Sequence, residues 1–383
     1  MQKKIKVLET IRQGKIGGGE SHVLTLVSNL DKRRFEPVVL SFTDGPMVEQ
    51  LTDMGIRVHV IPSSHGFDLT TWTKVRKLIR DEQIDLVHAH GTRALTNVCY
   101  ACRKENVPLV YTVHGWSFHD SLSAPVYYAR MIAEGWLAAK TQKNICVSEA
   151  NLQFGKEHIA GFEAEVIYNG IDLNRFNPKR ALTDIRKEYG IASDQPVIGF
   201  IARMTVQKDP VSMVEAFAQV AARHPRAMLL MIGSGELLDE VKSRIKELKL
   251  HNRVILDAFR QDVPELLNAI DIFCLPSLWE GMPIGLIEAL AMEKAIVASA
   301  VDGTRELIRN AFNGLTVNPQ EPERLSAAIC RLLEDNELRH QLQLNARDSV
   351  LTSYNAVVMA EKVERIYHQL VKKVIPQSSL QVN

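Results

Sequence analysis

The sequence predicts an α/β protein of two doubly wound domains, each a parallel sheet with helices on both faces. Three observations predict it. At 383 residues the chain exceeds one ordinary core, and about two domains of 150 to 200 residues is the expected division. Short apolar runs alternate with longer amphipathic ones, the pattern of βαβ units. This register stops and restarts once, on either side of Ile167-Tyr168-Asn169-Gly170-Ile171-Asp172. Asn-Gly with Pro178 beyond it is loop chemistry, so the hinge is expected there.

In the first series a strand is expected over residues 4–9, then a glycine-rich loop and a helix over 21–30. Strands follow at 36–42, 57–61, 86–90, 109–114 and 144–147, with helices clearest at 72–82 and 94–106. The second series opens with a strand at 196–201, a loop over 202–209 and a helix over 210–223. Further strands are expected at 227–232, 254–256, 272–276 and 295–299. The domains expected are residues 1–170, joined by a returning helix in 355–383, and residues 171–354.

Composition excludes several classes. A net charge of +1 gives no global attraction to nucleic acid. No run of about 18 apolar residues exists to span a membrane. The basic start, Met1 to Glu9, loses its apolar run too soon for a secretory signal. Five cysteines, an odd number, fit a reducing compartment. Cys99 and Cys102 form a C-x-x-C late in a helical pattern, which reads as core packing rather than redox chemistry. A cytoplasmic protein is expected, with the inner membrane face as one possible place of work.

Open α/β sheets bind ligands beyond the carboxyl ends of their strands. Gly17-Gly18-Gly19-Glu20 stands there after the first strand, where free amides can meet an anion. No Gly-Lys-Ser/Thr follows, and His22 occupies the last glycine position of a dinucleotide fingerprint. In the second domain Arg203 and Lys208 share one such loop, a planar fork and a point charge able to converge on a diphosphate. Pro283 suits a helix start, which would offer the amides of Ile284, Gly285 and Leu286 and a positive helix terminus. Glu288 lies among Ile287, Ala289 and Leu290, and a carboxylate in an apolar run needs a partner. A hydroxyl-rich ligand would supply one.

Glu280 and Glu288 form the E-x7-E pattern of retaining GT-B glycosyltransferases, and the chain resembles glycosyltransferase family 4. The resemblance runs through the Gly-Gly-Gly-Glu loop, Asp85-Leu86-Val87-His88-Ala89-His90-Gly91 and Thr112-Val113-His114-Gly115. It continues in Asn169-Gly170-Ile171-Asp172, the Arg203/Lys208 loop, Gly233-Ser234-Gly235-Glu236 and Pro276-Ser277-Leu278-Trp279-Glu280-Gly281.

The resemblance implies roles. Arg203 and Lys208 would grip the donor diphosphate and Glu288 the ribose. Glu280 would stand near the transferred sugar, with His114 facing sugar and acceptor. Gly17, Gly18 and Gly19 would approach the donor, and Gly233, Gly235, Arg260 and Val263 would neighbour the base. Two positions depart from the family pattern: Ala202 and Asp209 stand where glycine is usual.

The departing diphosphate needs preorganised positive charge. No D-x-D metal motif occurs, and two cations with a helix N-terminus can supply that charge. His88-x-His90 places two imidazoles on one strand face with no third ligand visible, so no metal and no cofactor are expected, and His90 is expected to line the acceptor side. The acceptor would meet residues 121–143, whose Tyr127, Tyr128, Arg130, Met131, Ile132, Trp136 and Lys140 could pack on the sheet or rest on a membrane.

The expected activity is a retaining, metal-independent transfer of a hexose or N-acetylhexosamine. The donor is a nucleotide-sugar, UDP- before GDP-. The acceptor is a glycan or lipid-linked sugar of a bacterial surface polysaccharide, such as lipopolysaccharide or exopolysaccharide. A nucleotide-sugar epimerase of the same fold and a catalytically silent nucleotide-sugar binder are the alternatives.

Overall fold

The computed structural model describes residues 3–15, 17–63, 65–119 and 122–374. Two compact units emerge, Met1–Gly170 with Ala356–Asn383, and Ile171–Asn355.

The first unit carries β1 (Ile5–Ile11), β2 (Phe35–Ser41), β3 (Arg57–Val60), β4 (Leu86–His90), β5 (Leu109–Val113), β6 (Lys143–Cys146) and β7 (Glu165–Val166). They form one parallel sheet in the order β3-β2-β1-β4-β5-β6-β7. Order reverses between β1 and β4, which opens a crevice at their carboxyl ends. β4 and β5 are buried along their whole length, because helices cover both sheet faces. The returning helix Ala356–Val374 closes one face, packing Met359, Val363, Ile366 and Tyr367 with Val7, Leu86 and Val110.

The second unit carries β8 (Val197–Ile201), β9 (Met228–Ile232), β10 (Val254–Asp257), β11 (Ile272–Leu275), β12 (Ala295–Ser299) and β13 (Leu315–Val317). Its parallel order is β10-β9-β8-β11-β12-β13, with the reversal between β8 and β11. One core cluster of Ile198, Phe200, Phe217, Leu229, Met231 and their neighbours lies beneath it. All five cysteines are buried free thiols, and burial pushes the Cys102 thiol up, which fits core packing.

Boundaries moved in four informative places. The helix after β1 starts at Gly18, three residues earlier than expected, so Gly18 and Gly19 are first-turn residues with Gly17 as N-cap. The helix after β11 starts at Ile284, with Pro283 as its N-cap rather than its first residue. β7 and β13 are too short for their periodicity to be read. The returning helix begins at Ala356, while Asn355 bridges to Ile171 in the second unit.

Candidate functional site

In the second unit the loop after β8 and the loop after β11 are tied together. Leu278 N donates to Gln207 O at 2.8 Å, and Gln207 Nε2 donates to Trp279 O at 2.9 Å. Asp209 holds φ at +47°, and its carboxylate accepts from Ser212 N at 3.3 Å to cap the helix Pro210–Arg223. Asp tolerates this left-handed conformation and caps well, which explains how it stands where the family uses glycine.

Arg203 is exposed, without an ion pair among the described residues. Lys208 is not free: its Nζ donates to Glu280 Oε1 in an ion pair whose side chains are only 16% and 5% exposed. The two groups assigned separate tasks by sequence neutralise one another here. Thr205 Oγ1 and Ser277 Oγ, on the same two loops, are buried with no hydrogen-bond partner among the described residues.

The helix Ile284–Ala291 begins beside this pair in sequence. Leu286 N donates to Pro283 O at 3.1 Å, a bond of the first helical turn. Because Pro283 is the N-cap, its carbonyl takes up that amide; Ile284 and Gly285 remain at the positive terminus. Glu288 is half-buried, and burial pushes its carboxyl up to about 7, with Arg175 partly opposing.

Gly233 and Gly235 have a reason of their own. A Cβ on Gly233 would meet Ala202 O at 2.0 Å, and one on Gly235 would meet Met204 O at 2.2 Å. The loop after β9 thus packs backbone to backbone on the loop after β8, as Met204 N to Ser234 O at 3.0 Å confirms. Arg260 is held by Glu188, Asp262 and Tyr189, with Val263 opening the helix Val263–Ala269 behind it. Sequence reasoning missed one close backbone approach: a Cβ on Gly303 would lie 1.9 Å from Gly281 O. A glycine just past β12 was the available signal.

In the first unit β1, β4 and β5 deliver a histidine cluster to their carboxyl ends. His90 ends β4, His114 follows β5, and His22 comes from the helix Gly18–Asn29. His90 Nδ1 lies 3.1 Å from His114 Nε2, and His90 Nε2 lies 2.9 Å from Glu9 Oε2. Tyr367 Oη donates to Glu9 Oε1 at 2.8 Å, and His88 bridges Tyr367 Oη at 2.6 Å and Thr112 Oγ1 at 2.7 Å. Gly19 packs against His114, where a Cβ would stand 3.8 Å from the ring.

Glu9 corrects the expectation that His88 and His90 lack a third group. Parallel pairing sets Glu9 directly opposite His88, and Glu9, His88 and His90 come together, as do His22, His90 and His114. The lone acid in an apolar strand was the overlooked signal. Burial opposes ionisation of Glu9, yet His88 and His90 hold its carboxyl far below the usual range. Burial drives His22 down to about 3 and His90 to about 4, and holds His114 well below its ordinary value.

Residues 182–349 match the family described as glycosyl transferases group 1, and residues 16–175 match glycosyltransferase family 4. A UDP-Gal:α-D-GlcNAc-diphosphoundecaprenol α-1,3-galactosyltransferase of Escherichia coli is 26% identical over 96% of this chain and 98% of its own. An N,N'-diacetylbacillosaminyl-diphospho-undecaprenol α-1,3-N-acetylgalactosaminyltransferase of Campylobacter jejuni is 26% identical over 92% and 96%. HepE of Anabaena in complex with UDP-glucose superposes with a TM-score of 0.83 at 25% identity, covering 95% of this chain and 99% of that one.

Proposed function

The chain belongs to the group 1, family 4 glycosyltransferases with the GT-B fold, and from that premise we propose how and on what it acts. It is a glycosyltransferase that uses a nucleotide-sugar. The donor we propose is a UDP-sugar, and the acceptor a lipid-linked diphosphate sugar of a bacterial surface polysaccharide. Support comes from relatives named for such acceptors and from the UDP-glucose complex of HepE.

The observation that carries the mechanism is the Lys208–Glu280 ion pair at the loop after β8. A donor diphosphate competes with Glu280 for Lys208, and Arg203 adds a second cation. As Lys208 turns to phosphate, Glu280 is released to accept from the sugar hydroxyls. Glu288 takes the ribose, and Ile284 and Gly285 present their amides to the phosphates. The anomeric carbon–phosphate oxygen bond breaks while a bond to the acceptor hydroxyl forms on the same face. The acceptor proton passes to a departing phosphate oxygen, whose charge the cations stabilise. The role carried over to His114 from the family resemblance is contact with the sugar and acceptor.

The reaction is proposed to need no divalent metal, because Arg203, Lys208 and a helix terminus stand where a D-x-D motif is lacking. Purified enzyme with excess EDTA, a UDP-sugar panel and a diphosphate-lipid acceptor tests this. Turnover persisting in EDTA is expected; loss restored by Mg²⁺ or Mn²⁺ sinks the reading.

A peripheral membrane contact is supported by the helix Ala124–Ala138. Tyr128, Ile132 and Trp136, four residues apart, are 57%, 66% and 54% exposed, and Lys140 Nζ lies 5.5 Å over the Trp136 ring. The opposite face is fastened: Glu134 is fully buried and accepts from Tyr111 Oη at 2.6 Å and Thr92 Oγ1 at 2.8 Å. No helix among the described residues is long and apolar enough to cross a membrane.

A further inference from the structure

Among the described residues, one polar atom in the first unit's histidine cluster has no hydrogen-bond partner. The His22 ring is 2% exposed; its Nδ1 lies 2.9 Å from Asn169 Oδ1, while its buried Nε2 has no hydrogen-bond partner among the described residues. An unsatisfied buried nitrogen of this kind is costly and calls for a reason. Around it stand two more rings. His114 meets His22 edge-on with centroids 4.7 Å apart, and His90 is 5.2 Å away.

One nitrogen from each ring lies within 4.8 Å of the other two. The 3.1 Å between His90 Nδ1 and His114 Nε2 is close to the ~3.3 Å edge of a tetrahedral site with Zn–N of about 2.0–2.1 Å. Two rings are already oriented from behind, His90 by the Glu9 carboxylate and His22 by the Asn169 carbonyl. Metal-bound histidines are held in this way, by a carboxylate or carbonyl on the far nitrogen. All three rings are kept neutral by burial, the form that ligates metal. The neighbouring group of Glu9, His88 and His90 differs, since both His88 nitrogens are held by Tyr367 and Thr112 outside the set, whereas the hydrogen bond between His90 Nδ1 and His114 Nε2 lies within the proposed set and is the contact a metal would replace.

We propose that His22, His90 and His114 form a three-imidazole site for a divalent transition metal of the zinc class, through His22 Nε2, His90 Nδ1 and His114 Nε2. The fourth position is left for water or an anion. Because His114 is engaged, zinc inhibits transfer instead of supporting it, a consequence that rests on the role of His114 in the reading above; binding does not rest on it.

The test uses the full chain, stripped by chelator and then exchanged free of it. Titration with Co²⁺ should give one strong visible absorption band per chain, of the kind a tetrahedral site shows, bleached by Zn²⁺. Calorimetry with Zn²⁺ should show His22→Gln binding at least tenfold more weakly, with an unchanged melting curve, while the exposed His340→Gln matches the parent. X-ray absorption at the zinc edge of the parent, which needs no variant, should count three imidazoles. Fewer than three, the absence of the Co²⁺ band, or parental affinity in folded His22→Gln overturns the site. Stoichiometric Zn²⁺ should also lower turnover at least tenfold. Binding with full turnover would keep the site and remove His114 from the transfer reaction.

Discussion

In the mechanism proposed above, Lys208 has two partners competing for one charge, Glu280 as seen in the structure and the donor diphosphate, and this competition sets what substitutions should do. A charge-assisted contact is worth about 1.5 to 3 kcal/mol, so Lys208→Ala should lower kcat/KM at least roughly tenfold. It also strands a Glu280 carboxylate that is 5% exposed, so its melting temperature should fall as well; steady-state kinetics beside a thermal melt reads both. Glu280→Gln should do the opposite to nucleotide affinity. With its competitor neutral, Lys208 binds UDP as well as or better than before, while kcat falls because the sugar contact is lost. UDP affinity weakened tenfold in Glu280→Gln would refute the competition. Glu288 offers a third reading, through protons. Its carboxyl sits at about 7 because burial outweighs the pull of Arg175, and ribose hydroxyls donating to it favour the ionised form. UDP binding should then release protons near neutrality and tighten as pH rises through about 7. Calorimetry in buffers of different ionisation enthalpy measures the release, which should vanish in Glu288→Gln.

At the scale of elements, the buried strands were legible because they are short, apolar and bounded by turn residues, and β12 fell where the pattern put it. The helix Pro210–Arg223 was equally plain, with Asp209 and Pro210 marking its start. Helix starts among glycines were not. Gly17, Gly18 and Gly19 carry no cap signal, so nothing local shows that the first turn begins at Gly18. Contacts between loops were hidden too, since the Lys208–Glu280 pair and the Gly233–Ala202 approach join segments far apart in sequence. On the helix Ala124–Ala138 the sequence left two uses open, and the exposure of Tyr128, Ile132 and Trp136 is what the proposed membrane contact rests on. Replacing all three with Ser should abolish flotation with anionic phospholipid vesicles, leaving activity on a soluble, short-chain acceptor within about twofold. Loss of activity on that acceptor would show that the stripe serves the site instead.

Over the whole molecule, the two units carry buried titratable groups whose effects on stability have opposite signs. In the first, His22, His90 and His114 are held below the ordinary 6.5, chiefly by burial. Unfolded, they take up protons near pH 6.5; folded, they do so only well below it. The unfolded state therefore binds more protons in this window, and stability is lost as pH falls from 6.5 toward about 4. Each ring that stays neutral on folding costs about 1.4 kcal/mol per pH unit in this window, which is large beside a typical domain's stability. Glu9, held ionised by His88 and His90, adds to the loss once pH drops below about 4.5. In the second unit Glu288 is raised from 4.5 to about 7. Its stabilisation is fully present below pH 4.5 and is lost as pH rises through about 7, with a smaller magnitude because the side chain is only half-buried. Hydrogen exchange read by mass spectrometry separates the two. Between pH 7 and 5.5, once intrinsic exchange rates are corrected for, peptides of β1, β4 and β5 should lose protection. Those of β8, β11 and β12 should hold or gain it. The His22→Gln variant should reduce the first unit's slope by about one proton. Parallel loss in both units would mean that acid acts through some group other than this histidine cluster.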